Sequence, residues 1–153
     1  MEKGFPNPYV LHVEDDDGDA YLVARALDQL KCKVRLVRAK NGLEALALLD
    51  GAKDGGMEQP SLVLLDLKLP MVSGFEVLES LKEGSLLDEI PVVVFTSSDI
   101  AKDERAARQL GATDYFVKPI DYTQFKRVVG EICDHYLRPL ERKVSSVYNA
   151  FVL

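Results

Sequence analysis

Thiol chemistry is nearly missing from this chain. Its two cysteines, Cys32 and Cys133, stand far apart and have neither metal-ligand nor redox-motif spacing. The expectation is two reduced thiols in a cytosolic protein. Long apolar runs are missing as well. None approaches the ~20 residues of a membrane span, and Met1 to Pro8 holds no apolar signal-peptide core. A cytoplasmic protein with no membrane segment is expected. Positive charge is short: 19 Lys and Arg stand against 25 Asp and Glu, for a net charge of -6. That excludes direct, unassisted nucleic-acid binding, which needs cationic surface to neutralise phosphates. There is no internal repeat and no low-complexity tract.

What remains suits one soluble globular domain. The chain has 153 residues, 47% of them hydrophobic and 29% charged. Short apolar runs alternate with segments of helical period. Strands are predicted near 9–13, 33–37, 62–65, 91–95 and 114–118, and helices near 18–30, 42–50, 73–83, 100–110 and 121–136. Tyr21, Leu22, Ala24, Leu27 and Leu30 set the 3.6-residue period of the first helix. Asp121 is expected to cap the fifth, and Gly111 to end the fourth. Gly51 to Gln59 reads as an exposed polar loop. Strands apolar on both faces, each followed by a helix, predict an α/β fold. It would be a five-stranded parallel sheet of order 2-1-3-4-5 with helices on both faces.

Four of these apolar runs end on a residue able to do chemistry. Val10 to Val13 gives onto Glu14-Asp15, Leu62 to Leu65 onto Asp66, Val92 to Phe95 onto Thr96, and Tyr115 to Val117 onto Lys118. In a parallel sheet all four would meet at one edge. With this strand order, the crevice between strands one and three is where ligands bind. Several carboxylates in one pocket stay ionised together only if a cation joins them. Oxygen ligands alone favour a hard ion, here Mg²⁺. Asp15 and Asp66 are expected to coordinate it directly, Glu14 through water, and the backbone carbonyl of Lys68 to complete the set. Asp15-Asp16-Asp17-Gly18-Asp19 is no calcium loop, because its twelfth position is Ala26 and not Glu.

A carboxylate beside Mg²⁺ can attack a phosphoryl group. Asp66 is the expected nucleophile. Lys118 and the Thr96 hydroxyl would take phosphoryl oxygens, and Ser97 is small enough to leave the approach open. A cis bond at Lys118-Pro119 would aim the lysine, but only about 5–6% of X–Pro bonds are cis. Each residue alone has a blander reading: turn former, helix cap, or exposed lysine. Four together at four strand ends do not.

These residues carry a resemblance. Val13-Glu14-Asp15, Leu64-Leu65-Asp66-Leu67-Lys68-Leu69-Pro70 with Gly74 after it, Val94-Phe95-Thr96-Ser97 and Gly111-Ala112-Thr113-Asp114-Tyr115-Phe116-Val117-Lys118-Pro119 resemble the receiver domain of two-component response regulators. Ala39 to Leu46 matches the usual turn into the second helix. The resemblance runs from about Tyr9 to Tyr136. It implies a flavodoxin-like fold and a phosphoryl group accepted on Asp66 from a sensor histidine kinase or a histidine phosphotransfer protein. Mg²⁺ would be required, with Glu14 and Asp15 as the acidic pair, and Thr96 with Tyr115 would form a conformational switch. Lys68 and Ser98 fall where the family tunes dephosphorylation. Glu14-Asp15 followed by Asp19, Leu22 and Ala26-Leu27 is similar to receivers paired with bacterial phytochrome kinases.

The expected organisation is a lead over 1–8, a receiver over 9–136 and a C-terminal extension over 137–153, with no output domain. Pro139 should interrupt or kink the fifth helix. Beyond it, Val144, Val147, Tyr148 and Phe151 recur at roughly helical spacing. They would form a short packed helix, a frayed end, a homodimer arm or a docking segment. Two rival functions fit the residues less well. A phosphohydrolase with an aspartate nucleophile would carry a second Asp where Lys68 stands. A non-phosphorylated adaptor would not need the intact acid, hydroxyl and lysine set.

Overall fold

The computed structural model describes residues 7–140. Five parallel strands, β1 (Tyr9–Val13), β2 (Arg35–Ala39), β3 (Leu62–Leu65), β4 (Val92–Thr96) and β5 (Asp114–Val117), form one sheet of order β2-β1-β3-β4-β5. The helices are α1 (Asp17–Gln29), α2 (Gly42–Lys53), α3 (Gly74–Glu83), α4 (Ala101–Gln109) and α5 (Tyr122–Ile132). The strands alternate their side chains between two cores. Val10, Leu62, Leu64, Val93 and Phe95 face α1 and α5 and meet Val23, Leu27, Phe125 and Val129. Leu11, Val13, Val63, Leu65 and Val94 face the other way and meet Leu49, Val77, Leu78 and Ala107 from α2, α3 and α4.

Side-chain caps start four of the five α-helices. Asp16 accepts from the Asp19 N–H at 2.8 Å, Asn41 from Glu44 at 2.9 Å and Asp121 from Gln124 at 3.0 Å. Ser73 and Glu76 form a reciprocal capping box on α3. Gly111, just past α4, takes a φ of +102°, as a helix-ending glycine does.

The structure refines the sequence reading in several places. Strand β2 starts two residues late. Lys31 has φ +55° and the Cys32 N–H returns to the Leu27 carbonyl at 2.9 Å, so the chain is still leaving α1. Helix α2 runs on through Gly51 and the buried Ala52 to Lys53, which shortens the expected loop. The Lys118-Pro119 bond is trans, as are all peptide bonds of the described chain. Finally, Cys32 and Cys133 are joined in a disulfide with Cα atoms 6.5 Å apart, so the expectation of two free thiols is overturned. Cys32 sits just past α1 and Cys133 just past α5. Both are buried where those helices end side by side.

Helical backbone carries through Pro139 to residue 140, but not as one unbroken α-helix. A π turn over Cys133–Leu137 precedes it, with the Arg138 N–H reaching the Cys133 carbonyl, and helical backbone resumes for residues 138–140. Proline lacks the N–H of an α turn and crowds the carbonyl four residues back, and the wider turn relieves both. Leu137 is 2% exposed and packs in the α1–α5 core, so the packed fold extends past the boundary expected at 136. The apolar positions from Val144 onward lie outside the described residues.

Candidate functional site

The sheet positions the predicted residues by register. Past each strand end the parallel ladder adds one more backbone bond. The Glu14 N–H donates to the Ala39 carbonyl at 3.0 Å, the Asp66 N–H to Val13 at 3.1 Å, and the Lys118 N–H to Thr96 at 2.7 Å. Glu14, Asp66, Thr96 and Lys118 therefore stand along one edge. Gly74 lets α3 approach this edge closely, because a Cβ there would overlap the backbone of Asp66 and Leu67.

Carboxylate oxygens of Glu14, Asp15 and Asp66 lie within 4.8 Å of one another. Glu14 and Asp66 are buried and Asp15 is exposed. The Lys118 ammonium reaches Glu14 at 2.6 Å, Asp19 at 2.9 Å and Asp66 at 3.2 Å. Burial pushes the ammonium toward deprotonation, but the carboxylates of Asp19, Glu14 and Asp66 outweigh it and hold Lys118 above its ordinary range. Burial raises Glu14 to about 7 against the pull of Lys118, and the Asp66 charge adds to the rise. One cation serves several acids, and the cluster remains short of positive charge. An all-oxygen donor set of this kind fits a hard divalent cation.

Other predicted residues fall around this centre. Thr96 is fully buried, and its hydroxyl oxygen lies 3.4 Å from the Ser98 N–H. Ser97 is exposed beside it. Lys68 points its side chain outward while its N–H lies 3.4 Å from Asp66 Oδ1. The Tyr115 ring lies inward, 7% exposed, with its hydroxyl donating to the Ser98 carbonyl at 3.0 Å. Ser98 in turn donates to Asp103 of α4 at 2.6 Å.

Three contributors escaped the sequence reading. Asp19 stands out in the sequence only as part of a motif, and its contact with Lys118 depends on how the first turn of α1 faces the sheet edge. Arg38 of β2 donates from Nε to the Glu14 carbonyl at 2.9 Å and from Nη1 to Asp17 at 2.7 Å. A cation inside a strand was the available signal. His12, paired in register with Arg38, lies buried below Glu14 with its Nε2 4.0 Å from the carboxylate.

Residues 10–129 match the family model described as the response regulator receiver domain. The chain belongs to that family. This receiver is 39% identical over 128 residues to the probable methanogenesis regulatory protein FilR2 of Methanothrix harundinacea, covering 84% of this chain and 83% of that protein. Among solved structures it is similar to the Mn²⁺-bound response regulator Rcp1, at 33% identity and a TM-score of 0.77 over 85% of this chain and 94% of the other. It is also similar to the phosphorylated cyanobacterial phytochrome response regulator RcpA, at 30% identity and a TM-score of 0.78 over the same shares. The five-stranded receiver fold is shared with these neighbours. Receiver domains are signalling proteins that take a phosphoryl group on an aspartate and bind a divalent cation at their acidic pocket. Among the described residues no helix is long and apolar enough to cross a membrane.

Proposed function

We propose that Asp66 of this receiver accepts a phosphoryl group from the phosphohistidine of a sensor histidine kinase or a histidine phosphotransfer protein. The observation that carries this reading is the meeting of the Glu14, Asp15 and Asp66 carboxylates beside the Lys118 ammonium. An Asp66 oxygen attacks phosphorus, the P–N bond breaks, and the imidazole leaves with its electron pair. Lys118 and the Thr96 hydroxyl receive the phosphoryl oxygens, and Ser97 leaves the entrance open. Asp15, Asp66 and the Lys68 carbonyl would hold Mg²⁺ directly and Glu14 through water, and the ion when bound would neutralise charge around the transferred group. The chain's own residues also position water for hydrolysis of the acyl phosphate. Release and capture of the Thr96 hydroxyl, felt by Tyr115 through Ser98, convey the state of Asp66 to α4.

The likeness to phytochrome response regulators supports a bacterial phytochrome kinase as the donor, and a homodimer is compatible with this role. A cytoplasmic location belongs to the same reading, because such kinases are charged from ATP. A small acyl phosphate with Mg²⁺ should label the protein stoichiometrically. Asp66→Asn should stay unlabelled. Label on Asp66→Asn, or none on the wild type with Mg²⁺, overturns the assignment.

A further inference from the structure

Lys118 has three N–H bonds and three carboxylate partners: Glu14 at 2.6 Å, Asp19 at 2.9 Å and Asp66 at 3.2 Å. Its donors are all engaged. The oxygens of an incoming phosphoryl group need this ammonium while Asp66 is still a free carboxylate, so one present partner must give way. The three are not equal. The Glu14 side chain is 1% exposed and that of Asp66 8%, whereas Asp19 is 34% exposed. Stranding Glu14 would leave a buried charge without a counter-ion, which is costly. The Asp19 carboxylate can return to water. Its backbone place is secured separately, by the N–H that Asp16 caps, so the helix start does not depend on the Asp19 side chain.

Resting on the phosphoacceptor reading above, we infer that Asp19 is a positioning residue that holds Lys118 before phosphorylation and yields it to the incoming phosphoryl group. Asp19 thereby slows uptake twice over. It occupies the ammonium that the donor's phosphoryl oxygens need, and it adds a like charge at the entrance. Removing its charge should speed the reaction, the reverse of what losing a merely structural helix residue would do.

The test uses the full chain, saturating Mg²⁺ and a small acyl phosphate. Asp19→Asn should lower the half-saturating donor concentration by roughly threefold, the scale of one partly exposed ion pair. The maximal rate should change less. Asp19→Glu, whose carboxylate still reaches Lys118, should return toward the wild type. Asp17→Asn removes an equal charge two residues away without a contact to Lys118, and should give a smaller gain. Equal gains from the Asp17 and Asp19 variants overturn the inference in favour of plain charge repulsion. Unchanged or slower uptake by Asp19→Asn overturns it outright. Failure of the wild type to take label would instead remove the phosphoacceptor reading beneath it.

Discussion

Lys118 and Glu14, 104 residues apart in sequence, meet at 2.6 Å with 7% and 1% of their side chains exposed. The pair joins the end of β5 to the end of β1 across two intervening strands. Its ammonium also occupies part of the charge deficit that a divalent cation would fill. Lys118→Ala should therefore strengthen Mg²⁺ binding while weakening phosphoryl uptake. Two unit charges 4 Å apart interact by roughly 1–4 kcal/mol at effective dielectric constants between water and a protein surface, and the divalent ion doubles this, so the low end alone is worth at least about tenfold. A gain of about tenfold in Mg²⁺ affinity is expected by titration calorimetry. Unchanged or weaker binding would show that Lys118 and the cation do not compete.

Tyr115 ties β5 to the loop after β4 through its hydroxyl and the Ser98 carbonyl. Its ring fills space in the core shared with α2, α3 and α4. The two contributions separate by mutation. Tyr115→Phe keeps the ring and should cost about 0.5–1.5 kcal/mol, the net worth of one hydrogen bond. Tyr115→Ala should cost about 3–5 kcal/mol through the cavity it leaves. Urea denaturation midpoints give both values. A neutral Tyr115→Phe would mean that the hydroxyl adds nothing to the unphosphorylated fold.

The edge of the sheet was legible in the sequence for a plain reason. Parallel strands end on one side, so Glu14, Asp66, Thr96 and Lys118 could be placed together from apolar runs and strand order alone. The contact of Asp19 with Lys118 and that of Arg38 with Glu14 were not legible. They depend on the roll of α1 and on the true start of β2, which hydrophobic period does not set to one residue. The Cys32–Cys133 bond was misread for a similar reason. Spacing along the chain says nothing of two helix ends that meet only after the α1–α5 core has formed. The interruption expected from Pro139 takes the form of a π turn just ahead of it, a detail that spacing along the chain does not specify.

The disulfide closes a loop between residues 101 apart. Constraining the unfolded chain over such a span is worth at most about 4.7 kcal/mol, and native bridges typically contribute about 2–4 kcal/mol. Cys32→Ser should lower the unfolding free energy by that typical amount, and reductant should bring the wild type to the same value. Under denaturing, non-reducing conditions the wild type should show no titratable thiol. Two free thiols, or a Cys32→Ser variant as stable as its parent, would count against the bond.

His12 gives the fold a built-in sensitivity to acid. It is 2% exposed, and burial first, then the positive charges of Lys118 and Arg38, push its pKa down to about 3. In the unfolded chain it titrates near 6.5. Below that value the unfolded chain binds a proton that the native state refuses, so the contribution is present above about pH 6.5 and is lost as pH falls toward 3. Each pH unit in that window removes about 1.4 kcal/mol. Between pH 7 and pH 5 the loss from His12 should come to roughly 2 kcal/mol. His12→Gln should flatten the urea-derived stability profile over this interval by that amount, with the carboxylates supplying what slope remains. The imidazole resonance of the folded wild type should stay at its neutral position down to pH 5. Movement of that resonance between pH 7 and 5 would mean that His12 already carries its proton inside the fold, and the acid sensitivity would then belong to other groups.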